Sequence, residues 1–400
     1  MRLVLHDYPG HAFPIQLSRA LAARGHDVLH LYFSDFQSPR GPLAPRSDDP
    51  PGLTIQALSL DRPFQKYDFL RRALAERAYG KLLVEAVRRY RPDTVLGGNS
   101  PLDPQAMLQR FCASRGIGFV FWLQDIYGVA IDGILRKRLG PLGALIGQHY
   151  KRLERRLWRH SGQLVAITED FLPILAQHGV ASARVHVIEN WAVLDDIPER
   201  PRDNDFARRH GLTGQRVLLY SGTLGLKHDP ALLAALARAF QDRADVTVLV
   251  VSEGIGADYL AERKRAEGLD RLQLLPFQPH ETLPDLLASG DVLVVLLEAD
   301  AGIYSVPSKV LSYCCAGRAV LGAIPPANLA ARRIRSEGFG LVVPPGDQPG
   351  FVAAARRLIA EDGVRDAAGR RGRAYAEKSF AIGPIAARME AILDAARRLG

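Results

Sequence analysis

Two segments in the second half of the chain combine a lysine with small or hydroxyl-bearing residues. Ser308 and Lys309 end the sequence S-V-P-S-K. Lys227 ends the sequence S-G-T-L-G-L-K, which also contains Gly222 and Thr223. Lysine charges, hydroxyl groups and the free N–H groups of a helix N-terminus are groups that bind phosphate oxygens. We therefore expect both segments to bind a diphosphate, with Lys227 and Lys309 as catalytic candidates.

The pattern around Lys309 predicts a strand followed by a helix. Residues 292–297 are an apolar run rich in valine and leucine, which is typical of a buried strand in a parallel sheet. A serine of the segment 305–308 is predicted to cap the next helix, with Pro307 in its first turn and Gly317 at its end. Ligands of open α/β sheets bind at the carboxyl ends of the strands, so this position suits a phosphate. A capped turn with an exposed lysine is the alternative.

The first half of the chain offers three more candidates. Asp125 comes shortly after the apolar run 118–123, so we expect it at the carboxyl end of a strand. A carboxylate there is suited to orienting a substrate or stabilising positive charge, and a turn-capping aspartate is the alternative. Gly10 and His11 lie in the loop after a predicted first strand and are candidates for substrate binding, with a solvated histidine as the alternative.

The sequence predicts no metal site and no cofactor. Asp203 and Asp205 form the one D-x-D pattern, which an N-cap of the following helix explains better than a metal site. The three cysteines, Cys112, Cys314 and Cys315, are spaced for neither a disulfide framework nor a metal. The loop D-Y-P-G-H-A after the first predicted strand is not a G-x-G-x-x-G dinucleotide fingerprint, which argues against a dinucleotide cofactor.

A basic stretch, residues 136–159, carries eight lysines and arginines against one glutamate in a chain of net charge +9. The apolar segment 141–147 lies between its clusters. Basic residues beside leucine and tryptophan suit a helix lying on an anionic membrane surface, and an ordinary solvated helix is the alternative. No recognition motif accompanies the charge, so nucleic acid is not expected as a partner. No run approaches the roughly 18 apolar residues of a membrane span. We expect a cytoplasmic protein that associates peripherally with the inner face of the cytoplasmic membrane.

Strand-like and helix-like segments alternate from end to end, which predicts an α/β protein with parallel sheets covered by helices. Four hundred residues are enough for two domains. The polar segment 195–201, with two prolines, is the predicted linker. We therefore expect domains at residues 1–195 and 196–380, followed by a last helix at 381–400.

Several motifs together resemble a known family. S-G-T-L-G-x-K, followed later by P-S-K-x-x-x-Y-x-x-x-G-R, resembles the retaining glycosyltransferases of family 4. The segments W-L-Q-D-I-Y-G and I-E-N-W are similar to the subgroup that builds bacterial exopolysaccharide, colanic acid and O-antigen. The resemblance spans nearly the whole chain. It implies a GT-B fold, in which two Rossmann-like domains with parallel sheets face each other across a cleft. It also implies a nucleotide-sugar donor on the second domain, an acceptor on the first, and a last helix that packs back on the first domain.

The chain departs from the family at one place. Many members carry a pair of glutamates around the helix that follows the P-S-K motif, the later of which holds the donor ribose. Tyr304 and Ser312 stand at the two corresponding positions in this chain, and we treat them as candidates for substrate binding. Glu298 and Asp300 are the nearest acids. They either contact the sugar hydroxyls or only mark the edge of a loop.

The resemblance implies transfer of a sugar, with retention, from a nucleotide sugar to a lipid-linked glycan in the biosynthesis of a cell-surface polysaccharide. Because no nucleophile stands out, the reaction is expected to proceed by front-face substitution. The protein then positions the substrates and stabilises the departing diphosphate. A nucleotide-sugar epimerase, a phosphorylase of similar architecture and a non-catalytic scaffold are the alternatives.

Overall fold

The computed structural model describes residues 1–36, 40–60, 69–225, 228–299, 302 and 304–399. Two of the candidate residues, Lys227 and Asp300, lie outside these ranges. The chain forms two compact units, of which the first combines Met1–Asn190 with Ile382–Gly400 and the second is Trp191–Ala381. Residues 195–201, the expected linker, pack within the second unit, where the Arg200 carbonyl accepts a hydrogen bond from Arg318 at 3.1 Å.

A parallel sheet forms the centre of the first unit. Its described strands are ordered β3-β2-β1-β4-β5-β6-β7. Strands β1, β4 and β5 are buried almost from end to end because helices pack on the sheet. The strands are Arg2–Asp7 (β1), Asp27–Phe33 (β2), Leu53–Leu58 (β3), Thr94–Gly98 (β4), Gly118–Leu123 (β5), Gln163–Ala166 (β6) and Val185–Val187 (β7). The helices are Ala12–Ala23 (α1), Phe69–Tyr90 (α2), Leu102–Ser114 (α3), Tyr127–His160 (α4) and Phe171–Gln177 (α5).

The second unit repeats this plan with a parallel sheet whose described strands are ordered β10-β9-β8-β11-β12-β13. Its core consists of the buried valines and leucines of these strands and of the helices packed on them. The strands are Arg216–Ser221 (β8), Val246–Val251 (β9), Leu272–Leu275 (β10), Val292–Leu296 (β11), Ala319–Ala323 (β12) and Gly340–Val343 (β13). The helices are Asp205–Arg209 (α6), Ala231–Ala239 (α7), Ile255–Glu267 (α8), Leu283–Ala288 (α9), Lys309–Cys315 (α10), Leu329–Glu337 (α11), Gln348–Ala360 (α12) and Asp362–Ser379 (α13).

In each sheet the strand order reverses at one place. The chain adds β2 and β3 on one side of β1 and then adds β4 on its other side, so β1 and β4 flank the reversal. In the second unit, β8 and β11 flank it. Ligands of such sheets bind at these places, outside the carboxyl ends of the two flanking strands. We call the two places the β1/β4 edge and the β8/β11 edge.

Helix α4 is folded into a hairpin. The backbone of Gly140 has a φ of 53° and a ψ of −129°, a conformation that interrupts the helix and that glycine adopts without strain. Residues 141–160 return along residues 127–139, since a Cβ added to Gly143 would lie only 2.0 Å from the Leu135 carbonyl oxygen. Glycine therefore makes both the turn and the close contact of the two arms possible. We call this element the α4 hairpin.

The final helix, Ile382–Arg397 (α14), belongs to the first unit although it follows the second unit in sequence. It packs against β4, β5, β6 and α1. Met389 and Leu393 are fully buried there, and the Thr94 hydroxyl donates a hydrogen bond to the Leu393 carbonyl at 3.2 Å. A Cβ at Gly118 would lie 2.8 Å from the backbone of α14, so the helix lies directly on the sheet.

Candidate active site

The amine of Lys309 lies at the β8/β11 edge. Lys309 is the first residue of α10, the helix that follows β11. Its Nζ donates hydrogen bonds to the Tyr220 hydroxyl at 2.8 Å and to the Thr223 carbonyl at 3.3 Å. The amine is also 4.4 Å from the centre of the Tyr220 ring, within range of a cation–π contact. Because Tyr220 belongs to β8, these contacts tie the start of α10 to the neighbouring strand.

Gly222 makes room for this amine. It follows β8 with a φ of 118°, and a Cβ at this position would lie 3.0 Å from both Cε and Nζ of Lys309. The backbone conformation and the available space therefore both favour glycine. Of the residues predicted to bind a phosphate, the structure brings Gly222, Thr223 and Lys309 together.

Tyr313, one turn further along α10, joins the two strands of this edge. Its hydroxyl accepts a hydrogen bond from the Ser221 backbone N–H at 3.3 Å and donates one to the Val294 carbonyl at 3.2 Å. Ser221 ends β8, and Val294 lies in β11. Tyr313 thereby fixes α10, and with it Lys309, against both strands.

Burial lowers the pKa of the Lys309 amine to about 7. Within the described ranges no carboxylate pairs with this amine, and its hydrogen-bond partners are the uncharged oxygens of Tyr220 and Thr223. An anion that binds beside such an amine favours its protonated form. The β8/β11 edge is therefore equipped to bind a phosphate oxygen.

The start of α10 differs from the prediction. The helix begins at Lys309, so Pro307 precedes it instead of lying in its first turn. The Ser308 side chain makes no capping hydrogen bond, and its backbone has αR angles rather than the extended angles of a capping residue. Ser308 therefore occupies the predicted N-cap position without making the capping hydrogen bond, and its exposed hydroxyl is not committed to the helix.

Three other candidates lie in α10 or in the loop before it without contacting the amine. Glu298 and Ser312 are half-buried, Tyr304 is exposed, and the described contacts of Lys309 include none of them. The loop that carries Tyr304 is anchored by Asn328. The buried Asn328 side chain donates hydrogen bonds to the carbonyls of Gly302 and Ser305, at 2.7 and 2.8 Å.

A buried carboxylate lies at the β1/β4 edge. Asp7 ends β1, accepts a hydrogen bond from the Asn99 side-chain amide at 2.6 Å, and accepts another from the His11 backbone N–H at 2.5 Å. The His11 ring faces the same carboxylate, with Nδ1 3.7 Å from Oδ1. Burial alone would raise the pKa of Asp7 and lower that of His11. The attraction between the two charges and the hydrogen bonding around Asp7 together outweigh it, so the pKa of Asp7 is lowered and that of His11 is raised.

Gly10 forms the turn that brings His11 back over Asp7. Its φ is 76°, and its N–H donates a hydrogen bond to the Asp7 carbonyl at 3.1 Å. A Cβ at this position would lie 2.7 Å from the Leu43 side chain. Both candidates of the first loop therefore lie at the β1/β4 edge.

Asp125 lies at the carboxyl end of β5, as predicted, between Gln124 and the start of the α4 hairpin. The Glu154 carboxylate, on the returning arm, accepts hydrogen bonds from the N–H groups of Tyr127 and Gly128 at 2.8 and 2.9 Å. Burial raises the pKa of Glu154 to about 7, and the negative charge of Asp125 adds to the rise. Asp125 therefore acts electrostatically on the residue that holds the base of the hairpin.

Sequence reasoning missed three residues at these two edges and one in the α4 hairpin. Asp7 and Asn99 each lie at the carboxyl end of a strand, and that position was a usable signal for both. Tyr220 looks like one more apolar residue of a buried strand, and Glu154 like a single acid in a basic helix. Nothing in the pattern of the sequence marks either of these two.

The D-x-D segment behaves as predicted. Asn204 is the N-cap of α6, and its side chain accepts a hydrogen bond from the Ala207 N–H at 3.0 Å. Among the residues that the structure describes, no group of three or more His, Cys, Asp or Glu side chains is arranged to hold a metal ion.

Two family models match the chain. The glycosyl transferase 4-like domain matches residues 15–191, and the glycosyl transferases group 1 model matches residues 215–361. The second match includes both the Gly222 segment and the Lys309 segment. The chain belongs to the family 4 glycosyltransferases. In this glycosyltransferase, strands β2 to β7 of the first sheet lie in the first matched part, and the described strands of the second sheet lie in the second.

Individual relatives agree with this assignment. A protein of Escherichia coli K12 named as a colanic acid biosynthesis glycosyl transferase, WcaI, is 24% identical over 278 residues, which are 68% of each chain. HepE of Anabaena, solved with UDP, matches with a TM-score of 0.71 and 15% identity over 98% of this chain and 100% of its own. WaaG, a glycosyltransferase involved in lipopolysaccharide biosynthesis, matches with a TM-score of 0.70 and 17% identity over 98% and 99%. The fold of this glycosyltransferase is GT-B.

The basic segment of the glycosyltransferase is most of the α4 hairpin. Leu153, Leu157 and Trp158, the apolar residues between its arginines, are buried in the first unit. The expectation that they accompany the charges on the surface is therefore wrong. Exposed apolar side chains lie instead around the turn at Gly140, and we call residues 134–145 the hairpin tip. These side chains are Ile134, Leu139, Leu142 and Leu145.

The exposed charges of the hairpin fall into two groups. Arg136, Lys137 and Arg138 are exposed at the tip. Residues 152, 156 and 159 are exposed arginines that recur at helical spacing, so they share one face of the returning arm. None of the described helices is long and apolar enough to cross a membrane.

Proposed function

We propose that this glycosyltransferase transfers a sugar, with retention, from a nucleotide sugar to a lipid-linked glycan in the biosynthesis of a cell-surface polysaccharide. The observation that carries the proposal is the Lys309 amine at the β8/β11 edge, which Gly222 accommodates and no described carboxylate neutralises. The names of WcaI and WaaG support a role in making a surface polysaccharide. The UDP in the HepE structure supports a nucleotide-linked donor.

The donor diphosphate, in this proposal, binds at the β8/β11 edge without a metal ion. Lys309 supplies a positive charge, and the exposed Thr223 and Ser308 supply hydroxyl groups. Lys227 is assigned the same role as Lys309 because of its place in the sequence. The residues proposed to contact the donor sugar or ribose are those of the loop after β11 and of α10, namely Glu298, Asp300, Tyr304 and Ser312.

The proposed chemistry is a front-face substitution. The bond between the anomeric carbon and the diphosphate oxygen breaks, and its electron pair leaves with the diphosphate. The acceptor oxygen forms its bond on the same face of the sugar, and its proton passes to the departing phosphate oxygen. Negative charge develops on that oxygen in the transition state, so a lysine amine beside it lowers the barrier. Asp125 is proposed to orient the acceptor or to stabilise positive charge at the anomeric carbon.

A lipid-linked acceptor lies in a membrane, so an enzyme that uses it needs a surface that contacts the membrane. We assign the hairpin tip to contact with an anionic membrane surface, because four exposed apolar side chains lie there next to Arg136, Lys137 and Arg138. Apolar side chains favour the acyl boundary and basic ones favour anionic headgroups. This arrangement supports peripheral association with the inner face of the cytoplasmic membrane.

The test of the proposed function starts from a thermal-shift screen of nucleotides and nucleotide sugars, because a ligand of the folded state raises its melting temperature. Release of nucleoside diphosphate is then measured with the donor alone and with lipid-linked glycan fractions. A glycosyltransferase releases it only with an acceptor, an epimerase alters the donor without one, and a scaffold does neither. The anomeric configuration of the product, read by NMR, tests retention. Activity that depends strictly on Mg²⁺ or Mn²⁺ would overturn the metal-free part.

A further inference from the structure

The two ring nitrogens of His11 have different surroundings. Nδ1 is buried, has no hydrogen-bond partner among the described residues, and faces the Asp7 carboxylate 3.7 Å away. The side chain as a whole is 36% exposed, so the accessible side of the ring is the one that carries Nε2. The ring also stacks on Phe13, with an interplanar angle of 14° and a centroid distance of 6.0 Å. The ring therefore has a defined inner side and a defined outer side.

The carboxylate on the inner side is itself fixed. Asp7 is 1% exposed, and its two oxygens accept hydrogen bonds from the Asn99 amide and the His11 backbone. Asn99 has a φ of 49°, in the left-handed region that asparagine tolerates better than most residues. The backbone after β4 thus adopts an uncommon conformation where its side chain holds Asp7.

We infer that Asp7 is a positioning residue that holds the His11 imidazole with Nε2–H directed outward, as a donor to a phosphate oxygen of a substrate. A buried carboxylate beside Nδ1 stabilises the protonated ring and determines which nitrogen faces outward. A protonated imidazole makes charge-assisted hydrogen bonds, which are strongest to oxyanions. The inference rests on the proposed function, in which the donor and the lipid-linked acceptor each bring phosphate groups.

Other titratable groups near this pair do not replace Asp7 in this role. Burial lowers the pKa of His6 to about 3 and that of His30 to about 4, so both stay neutral near pH 7. Burial raises the pKa of the nearby Tyr127 hydroxyl, the charges of Asp125, Glu154 and Asp7 add to the rise, and that of Arg72 in α2 opposes it. The charge that acts on His11 itself is that of Asp7.

The first arm of the test is an NMR titration of the His11 ring in the full-length protein, with its signal assigned by its loss in His11→Gln. The pKa in the wild type should lie above the ordinary value of about 6.5. Asp7→Asn keeps the shape and removes the charge, so it should lower the His11 pKa by about one unit or more, a tenfold change in protonation. An unchanged pKa in a folded Asp7→Asn protein overturns the inference.

A second variant covers the case in which Asp7→Asn fails to fold. Asn99→Gly suits the left-handed backbone and removes the amide that holds Asp7, so the His11 pKa should fall by a smaller amount. No fall in that variant overturns the inference. Turnover is not needed for either titration, so failure of the proposed function and failure of this inference are distinguishable.

The second arm identifies the phosphate. Inorganic pyrophosphate, UDP and farnesyl diphosphate are added in turn to the wild type and to Asp7→Asn. Binding of the expected kind raises the His11 pKa in the wild type and raises it less in the variant. A response to UDP but not to farnesyl diphosphate assigns the contact to the donor, and the reverse assigns it to the lipid-linked acceptor. No response to any of the three overturns the phosphate contact.

Discussion

At the scale of single residues, the decisive group is the Lys309 amine, because a diphosphate needs a positive charge and this amine has no described carboxylate partner. One charge-assisted hydrogen bond is worth roughly 1.5–3 kcal/mol, so Lys309→Ala should weaken binding of a nucleoside diphosphate by about 10- to 150-fold. The nucleoside without phosphates should bind the variant almost as well as the wild type. Calorimetric titration measures both, with the exposed Lys378→Ala as the matched control. Normal diphosphate binding by Lys309→Ala would show that the start of α10 is an ordinary turn with no role in binding phosphate.

The pH dependence of binding provides a second test of the same amine. Because burial lowers its pKa to about 7, the free amine loses its proton as the pH rises above neutrality. The diphosphate binds the protonated form, so affinity should fall by up to about tenfold per pH unit above pH 7, with proton uptake on binding. Lys309→Arg stays charged and should show neither effect. Titrations in two buffers of different ionisation enthalpy measure the uptake, and equal behaviour of both proteins would refute the assignment.

Asp125 tests the acceptor side of the reaction. Asp125→Asn keeps the shape and removes the charge, so kcat should fall while the affinity for nucleoside diphosphate stays near that of the wild type. The expected split follows from the position of Asp125 after β5 of the first unit, whereas the donor is assigned to the second unit. Steady-state kinetics and calorimetry on one preparation measure the two quantities. Full activity of the variant would make Asp125 a structural turn residue.

At the scale of elements, the α4 hairpin tip is the part whose role can be isolated. Leu142→Ser with Leu145→Ser removes two exposed apolar side chains, so binding to anionic vesicles at low salt should fall several-fold without loss of fold. Ile255→Ser, at a similarly exposed position of the second unit, is the matched control and should change nothing. Co-sedimentation measures binding, which should weaken as salt rises and be absent on neutral vesicles. Equal loss in the control would contradict a role for the tip.

The charged face of the returning arm is tested separately. Replacing Arg152, Arg156 and Arg159 by glutamate should abolish binding to anionic vesicles, since each basic residue near the surface is worth about 1 kcal/mol. Retention of binding would limit the contact to the hairpin tip. Because these side chains are exposed, the far-UV circular dichroism of the variant should match the wild type.

Elements with one dominant pattern were predictable from the sequence, and those that depend on distant contacts were not. The buried strand before α10 followed from a continuous apolar run, because a parallel strand covered on both faces needs no polar side. The start of α10 was mispredicted because Ser308 and Pro307 fit a capped helix locally, whereas Lys309 is held by Tyr220 of another strand. The hairpin in α4 was missed because the glycines that allow it matter only once the two arms touch.

At the scale of the whole molecule, the fold follows from local sequence patterns, whereas part of the candidate site depends on contacts between residues that are distant in sequence. The alternation of strands and helices predicted two α/β units, and the β8/β11 edge followed from strand-end loops. The Asp7, His11 and Asn99 cluster is different, because Asp7 and Asn99 are 92 positions apart and meet only when β4 pairs with β1. Such a pair cannot be predicted from composition or from the local spacing of residues.

The last helix offers a test of how the two units are built. Leu393 of α14 is fully buried on the first unit's sheet, so Leu393→Ala should destabilise that unit by about 2–5 kcal/mol. Leu399→Ala, at an exposed position after the helix, should change stability by less than about 0.5 kcal/mol. Because each unit has its own core, we expect separate calorimetric transitions, with nucleoside diphosphate raising only that of the second unit. Leu393→Ala should lower the other transition and leave nucleotide affinity unchanged. If it lowers the transition that the nucleotide raises, α14 supports the donor-binding unit and the assignment of the two units is wrong.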